Sequence, residues 1–325
     1  MTAPTATFDG LTPAPEETAR IRSLVRRGIP GRVDHHGPRV LRRLAEDQRG
    51  GPYETFRVRP YGPLIGAEIS GIDLREPLTD EQFTELDRAL LEWKVLFFRG
   101  QDVTHEQQRA FASRWGRIEG HPFLPKGTEQ DVVRLEKGKA NPGFENVWHS
   151  DFPWLAAPPM GAVLRMVEMP ECGGDTLFSD AAAAYDNLSD ELKERIDGLR
   201  AVNDFTPSAN YRDLLTDEQR AHFQKLYPPV EHPVVRTHPR TGRKSLFVTS
   251  IFTTRVVGLP EEESEQLLGE LFRQLEYPEY QVRFRWEPGS IVFWDNRAVQ
   301  HYATSDYHPH RRVVDRAAIA GDRPF

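Results

Sequence analysis

The chain has 325 residues, a formal net charge of −7, 38% hydrophobic and 28% charged residues. That is length enough for one large domain with a sizeable core, and the acidic balance argues against nucleic acid as a partner while still permitting a local basic pocket for a small anion. The single cysteine, Cys172, excludes an intrachain disulfide or a thiolate metal cluster and reads as a packed structural thiol.

No apolar run approaches the ~20 residues that cross a bilayer. The first residues carry Pro, Thr and acids rather than the apolar stretch of a signal peptide. The expectation is a cytoplasmic protein with no membrane partner.

In chain order, residues 1–53 form an extension, partly ordered, with basic pairs at Arg26-Arg27 and Arg42-Arg43. Its stretch Glu16–Arg27 suits a short amphipathic helix, and His35-His36 reads as an exposed, flexible pair. Residues 54–325 form the main domain. Thr55–Val58 and Ala67–Ile69 read as strands. Thr79–Trp93 has helical periodicity with Thr79 as N-cap. Val95–Phe98 is a short apolar strand, and Thr104–Trp115 is a second helix capped by Thr104. Further strands are expected at Gly161–Val167, Ser245–Thr249, Val282–Trp286 and Ser290–Trp294, and helices at Asp190–Gly198 and Glu261–Leu275. Many short strands punctuated by Gly and Pro, with a few outer helices, predict a mainly β fold of sandwich or jelly-roll type rather than a parallel βαβ sheet.

The chemistry starts at Trp148-His149-Ser150-Asp151. On a strand, residues i and i+2 share a face, so His149 and Asp151 would converge on one ion. One imidazole and one carboxylate are two-thirds of a facial triad, which leaves positions on the metal open. With 11 His and 49 acids, one or two such triplets arise by chance, and this is the only one in the chain. Alone, it reads more simply as a capping His beside an Asp. His301, in Gln300-His301-Tyr302 downstream of Trp294-Asp295-Asn296-Arg297, would supply the second imidazole. Arg312 lies eleven residues after His301 and Arg316 four further on. An arginine fork suits the far carboxylate of a dicarboxylate cosubstrate. Arg311 reads as a solvated surface residue. Gly173-Gly174-Asp175-Thr176 reads as a tight turn whose Thr176 hydroxyl would reach the same carboxylate.

Taken together, these pieces resemble the TauD/TfdA family over residues 54–325. The likeness runs from Arg59-Pro60-Tyr61-Gly62 through Trp148-His149-Ser150-Asp151, Gly173-Gly174-Asp175-Thr176-Leu177 and Arg236-Thr237-His238-Pro239. Phe252-Thr253-Thr254-Arg255 and the stretch from Trp294 to Pro324 complete it. The resemblance implies a double-stranded β-helix, the cupin-like jelly roll. It implies an oxidoreductase, a dioxygenase that uses Fe(II) with 2-oxoglutarate and O2 as cosubstrates. His149, Asp151 and His301 would hold the iron. Arg312 and Thr176 would hold the distal carboxylate of 2-oxoglutarate. Arg316 would face either a substrate anion or the C1 carboxylate. His121, Phe152, Ser208 and Phe252 would line the substrate pocket with Arg316. With Asp151 present as a ligand, the implied reaction is hydroxylation, not halogenation.

The chain departs from the taurine-using pattern of that family at Leu124, Glu145 and Phe152. A buried amine that lost its polar partners would cost about 1–3 kcal/mol for each. The expected substrate is therefore an anionic small molecule with more apolar body than taurine: first a sulfonate or an alkyl sulfate ester, and as the alternative a specialised metabolite or an aryloxy or alkyl carboxylate. Homo-oligomerisation, as a dimer or tetramer, is expected. The extension stands outside the family pattern, a candidate cap for the pocket or for an interface. Two other classes compete: a non-catalytic jelly-roll binding protein, and a zinc hydrolase built on the same ligands.

Overall fold

A computed structural model describes residues 14–27, 35–45, 48, 50–123, 131–208 and 215–325. Helix α1 (Pro15–Leu24) is followed by β1 (Arg26–Arg27), which pairs with β2 (His35–His36). The side chains of that His pair lie outside the described residues. The body then runs β3 (Arg57–Pro60), β4 (Ala67–Ser70), α2 (Asp80–Trp93), β5 (Val95–Phe98), α3 (His105–Ala112), β6 (Ile118–Glu119), β7 (Val133–Lys137), β8 (Gly161–Glu168) and β9 (Thr176–Asp180). After α4 (Ala181–Asp186) and α5 (Asp190–Ile196) come β10 (Arg200–Asn203), α6 (Asp217–Leu226), β11 (Val230–Pro233), β12 (Val235–Thr237), β13 (Lys244–Leu246), β14 (Thr253–Val256) and α7 (Glu261–Arg273). The chain closes with β15 (Gln281–Phe284), β16 (Ile291–Asp295), β17 (Val299–Ala303) and β18 (Arg312–Ile319).

Two sheets carry the site. The larger has the order β3-β4-β5-β16-β8-β18-β6, with β7 also on β18; the smaller is β15-β9-β17. All pairs in both are antiparallel except β4–β5. Strands covered on both faces read as continuous apolar runs, as in Val95–Phe98, where every residue is buried. Between the sheets pack Phe97, Leu164, Phe178, Phe284, Val292 and Trp294. On the outer face of the larger sheet, Phe98 and Phe293 meet Leu86, Leu90 and Trp93 of α2 and Phe111 of α3. Gly161 opens β8 because a Cβ there would strike the Trp294 carbonyl of the neighbouring strand. This is the mainly β jelly roll that the sequence predicts.

Both predicted N-caps form full capping boxes: Thr79 with Gln82 and Thr104 with Gln107. The second helix is shorter than predicted, because Ser113–Gly116 turn away after Ala112. The first strand starts two residues later than expected, at Arg57. The strand at Ser245 ends at Leu246, since beyond it Thr249 and Thr253 close a turn on each other. Helix α7 stops at Arg273 and tightens into a 3-10 turn over Gln274–Glu276. Cys172 is exposed rather than packed, because it sits on the turn between β8 and β9.

The N-terminal segment lies against the flank of the body. Val40 and Leu44 are buried, the Val40 N–H donates to Asn187, and Arg22 and Arg42 pair with Asp190 and Asp186. None of its described residues lines the central cavity. Helix α1 runs Pro15–Leu24 where Glu16–Arg27 was predicted, and Arg26–Arg27 form β1 instead. Among the described residues no helix is long and apolar enough to cross a membrane.

Candidate active site

A cavity of about 290 Å³ opens between the two sheets, and His121, His149, Asp151, Phe152, Thr176, Phe252, His301, Arg312 and Arg316 all line it. Strand alternation explains the arginines. Along β18, Arg312, Val314 and Arg316 face the cavity. Asp315 points the other way and accepts from His105, Arg134 and Arg165.

His301 lies on β17, next to β9. His149 joins the same small sheet through one reciprocal bridge: its N–H donates to the His301 carbonyl at 3.0 Å, and the return bond is 2.8 Å. The expected strand geometry stops there. Asp151 lies beyond the bridge on a bend, and Phe152 adopts φ +48°, so a turn rather than i, i+2 alternation brings Asp151 beside His149. Asn296 holds that turn. Its Oδ1 accepts from the Asp151 N–H at 2.8 Å, and its Nδ2 donates to the Asp151 carbonyl at 3.1 Å and the Pro159 carbonyl at 3.0 Å. Asn296 is the residue that motif reading missed. Its place directly after Trp294-Asp295 was visible, but its partner was not.

Ligand atoms of His149, Asp151 and His301 all lie within 4.8 Å of one another, and all three residues are buried. His149 Nδ1 sits 2.7 Å from the Val147 carbonyl, which can only accept, so Nδ1 is the donor and Nε2 is the nitrogen left for a ligand. Asp151 Oδ1 accepts from Arg316 Nη1 at 3.1 Å, while Oδ2 is buried with no protein partner among the described residues. Burial alone would raise the Asp151 pKa, but Arg316, His301 and His149 outweigh it and hold the carboxyl below its ordinary value. Burial, reinforced by His149, lowers His301 to about 3, so its ring is neutral. Two imidazoles, that of His301 neutral, and an ionised carboxylate with an unsatisfied oxygen are a donor set suited to a divalent metal.

At one end of the cavity Arg312 is buried. Its Nε donates to the Gly174 carbonyl at 3.1 Å and its Nη2 to Thr176 Oγ1 at 3.5 Å. Thr176 Oγ1 also accepts from Trp286. Gly174, at φ +74°, leaves room for the Arg312 side chain, whose Cδ would stand 3.1 Å from any added Cβ. No carboxylate among the described residues forms a salt bridge with Arg312, so a buried cation faces the cavity without a bonded counterion.

The other end is aromatic. Phe152, Trp154, Phe205 and Phe252 form a third apolar cluster, joined by Phe123 stacked on Trp154. The Arg316 guanidinium lies 4.7 Å from the Phe152 ring centre. His121 packs edge-on against Phe152. Burial first, then Arg316, lowers it to about 3. Its Nδ1 accepts from the Phe123 N–H, so the neutral ring carries its proton on Nε2. Ser208 is buried and its hydroxyl has no partner among the described residues, but it does not line the cavity. Leu124 lies outside the described residues. Arg311 is exposed and pairs with Glu136 and Glu168.

Residues 57–318 match the family model described as "Taurine catabolism dioxygenase TauD, TfdA family". The chain is similar to the "Alkylsulfatase" of Acinetobacter baylyi, with 36% identity over 83% of this chain and 87% of that protein. It is also similar to the "Alpha-ketoglutarate-dependent 2,4-dichlorophenoxyacetate dioxygenase" of Cupriavidus pinatubonensis, with 36% identity over 81% of this chain and 97% of that protein. Among solved structures, a taurine dioxygenase from Burkholderia xenovorans shares 36% identity at a TM-score of 0.70, covering 83% of this chain and 93% of that one.

Proposed function

The chain belongs to the TauD/TfdA family of Fe(II)- and 2-oxoglutarate-dependent dioxygenases, and on that premise we propose that it hydroxylates a sulfonate or alkyl sulfate ester at the carbon next to sulfur or sulfate oxygen. The observation that carries the reading is the split cavity, with a donor triad and a buried Arg312 at one end and Arg316 with neutral His121 against aromatic walls at the other.

The roles divide by position. His149 Nε2, His301 and Asp151 Oδ2 hold the iron, and Arg316 keeps Asp151 ionised. Arg312 and Thr176 take the distal carboxylate of 2-oxoglutarate. When bound, iron and its cosubstrates supply an oxidative decarboxylation that yields succinate and CO2 and delivers one oxygen atom to a substrate C–H bond. Arg316 and the His121 Nε2–H orient the substrate anion, and Phe152 and Phe252 exclude water from its apolar body. For a sulfate ester, the hydroxylated carbon then carries two oxygens, and its collapse gives an aldehyde and sulfate; a sulfonate gives an aldehyde and sulfite.

The two relatives' names support an anionic substrate with an apolar body, and the aromatic walls at Phe152 and Phe252 suit such a body better than the amine of taurine. A substrate panel of sulfonates, alkyl sulfates and aryloxyacetates, assayed for succinate and for sulfite or sulfate, tests the reading. Succinate with no sulfur release from any member would leave the aryloxy or alkyl carboxylate hydroxylase in its place, a reading that the 2,4-dichlorophenoxyacetate dioxygenase likeness favours. The lone cysteine fits a cytoplasmic setting. The expected assembly is a homodimer or homotetramer, which light scattering after size exclusion checks.

A further inference from the structure

Lys137 and Glu145 line the cavity at the Arg312 end, and nothing described so far gives them a task. Lys137 is the last residue of β7, and in the antiparallel register it stands directly opposite Arg312. Both side chains face the cavity, and opposed Cβ atoms in such a pair lie about 4.5–5.5 Å apart. The two side chains therefore enter the cavity from adjacent positions. Lys137 Nζ pairs with Glu145 Oε1 at 2.7 Å. Glu145 Oε2 accepts from the Phe144 N–H at 3.0 Å, and its carbonyl accepts from Ala303 on β17. Glu145 is thus pinned beside the site, while Lys137, on a four-carbon stem, is free to trade one carboxylate for another.

The charges at this end add up simply. Among the side chains that line it, Arg312 and Lys137 are positive and Glu145 is negative, and nearby Asp175 is paired with Arg283, which leaves one net positive charge to meet one carboxylate. Without Lys137 the balance is zero. We propose that Lys137 is the second cation of the cosubstrate subsite, held by Glu145 when the subsite is empty and shared with the distal carboxylate when 2-oxoglutarate arrives. Glu145 is then an internal competitor that sets how tightly the cosubstrate binds. The inference rests on the assignment of Arg312 to that carboxylate.

Anaerobic titration of 2-oxoglutarate into the Fe(II)-loaded full-length protein, read by its charge-transfer absorbance, tests both at once. Four variants are compared with the parent: Lys137→Met, Lys137→Arg, Glu145→Gln and Arg312→Ala. The expected result is roughly tenfold weaker binding for Lys137→Met, near-parent binding for Lys137→Arg, and binding at least as tight as the parent for Glu145→Gln. Removing Glu145 breaks the same ion pair as removing Lys137, so a merely structural pair would weaken binding equally in both. That outcome overturns the proposal. So does unchanged binding in Lys137→Met while Arg312→Ala loses it. Unchanged binding in Arg312→Ala overturns the assignment of Arg312 itself. Thermal midpoints of all four identify any variant that fails to fold, and Glu145→Gln keeps the test open if Lys137→Met does.

Discussion

Arg312 and Phe252 line the same cavity but are kept in place by different means. Around Arg312, Asp151 and His149, each position is fixed by directed hydrogen bonds: Arg312 donates to the Gly174 carbonyl and Thr176 Oγ1, the Asp151 N–H to Asn296 Oδ1, and His149 Nδ1 to the Val147 carbonyl. Around Phe252, the walls are rings packed on rings, with Phe152, Trp154 and Phe205. Directed bonds specify one geometry, whereas apolar packing tolerates volume-conserving change. The first half therefore suits a constant task and the second half a variable one. Substitutions in the two halves separate these properties.

The largest effect is expected at Asp151. Asp151→Ala removes the charged ligand and leaves Arg316 as a buried cation without its partner. Turnover should vanish, and Fe(II) or Co(II) binding measured by calorimetry should fall by more than about 100-fold. Retained metal affinity would remove Asp151 from the donor set. Arg312→Ala comes next. The loss of charge-assisted bonds worth about 1.5–3 kcal/mol should raise the 2-oxoglutarate requirement roughly 10- to 100-fold with metal binding intact. Arg312→Lys should recover only part of it, since a point charge does not replace the fork.

These two residues were legible in the sequence, and the reason is physical. His149, Asp151, His301 and Arg312 are weak signals one by one, and the chemistry shows in their residue types and order together with the family resemblance that joins them. The capped starts of α2 and α3 and the Val95–Phe98 strand were legible because capping boxes and uninterrupted apolar runs are local signals, whereas the helix ends were not. By contrast, β18 was not recognised. All eight of its residues are buried, yet it carries Arg312 and Arg316 facing the cavity and Asp315 paired with Arg134 and Arg165 on the other face, so no apolar–polar alternation marks it. Likewise the turn at Asp151 depends on Asn296, 145 residues away, and no local pattern reports a partner at that distance. The exposure of Cys172 also depends on where the β8–β9 turn falls.

Asn296 gives the intermediate effect. It touches only the main chain of the metal-binding turn, so Asn296→Ala should leave Asp151 present but poorly aimed. An affinity loss of about 10- to 100-fold for Co(II) is expected, with a stability loss of about 1–3 kcal/mol from the unpaired Asp151 N–H and carbonyl. Asn296→Asp keeps the acceptor and loses the donor, so it should fall between the parent and Asn296→Ala if the acceptor bond to the Asp151 N–H orients the turn. Equal metal affinity in parent and Asn296→Ala, with only a lower Tm, would make Asn296 structural alone.

The smallest effect belongs to the aromatic half. Phe252 is buried and faces the cavity, and Phe252→Leu keeps an apolar wall while removing the flat ring face. A pocket wall of this kind discriminates by about 1–3 kcal/mol for a change of methylene size, and the retained apolar wall puts this substitution at the low end, about 1.4 kcal/mol or less. The expected outcome is therefore a shift of up to roughly tenfold in the ratio of kcat/KM between an aryl and an alkyl substrate, with 2-oxoglutarate and metal affinities unchanged. The direction tests the comparison. A loss confined to aryl substrates means that ring stacking selects them; an equal loss for all substrates means that Phe252 supports the site as a whole. If Phe252→Leu also weakened 2-oxoglutarate binding, the two halves of the cavity would be coupled, and packing in the aromatic cluster would have to reach Arg312 through Phe152 and Arg316, whose side chains touch across the midline.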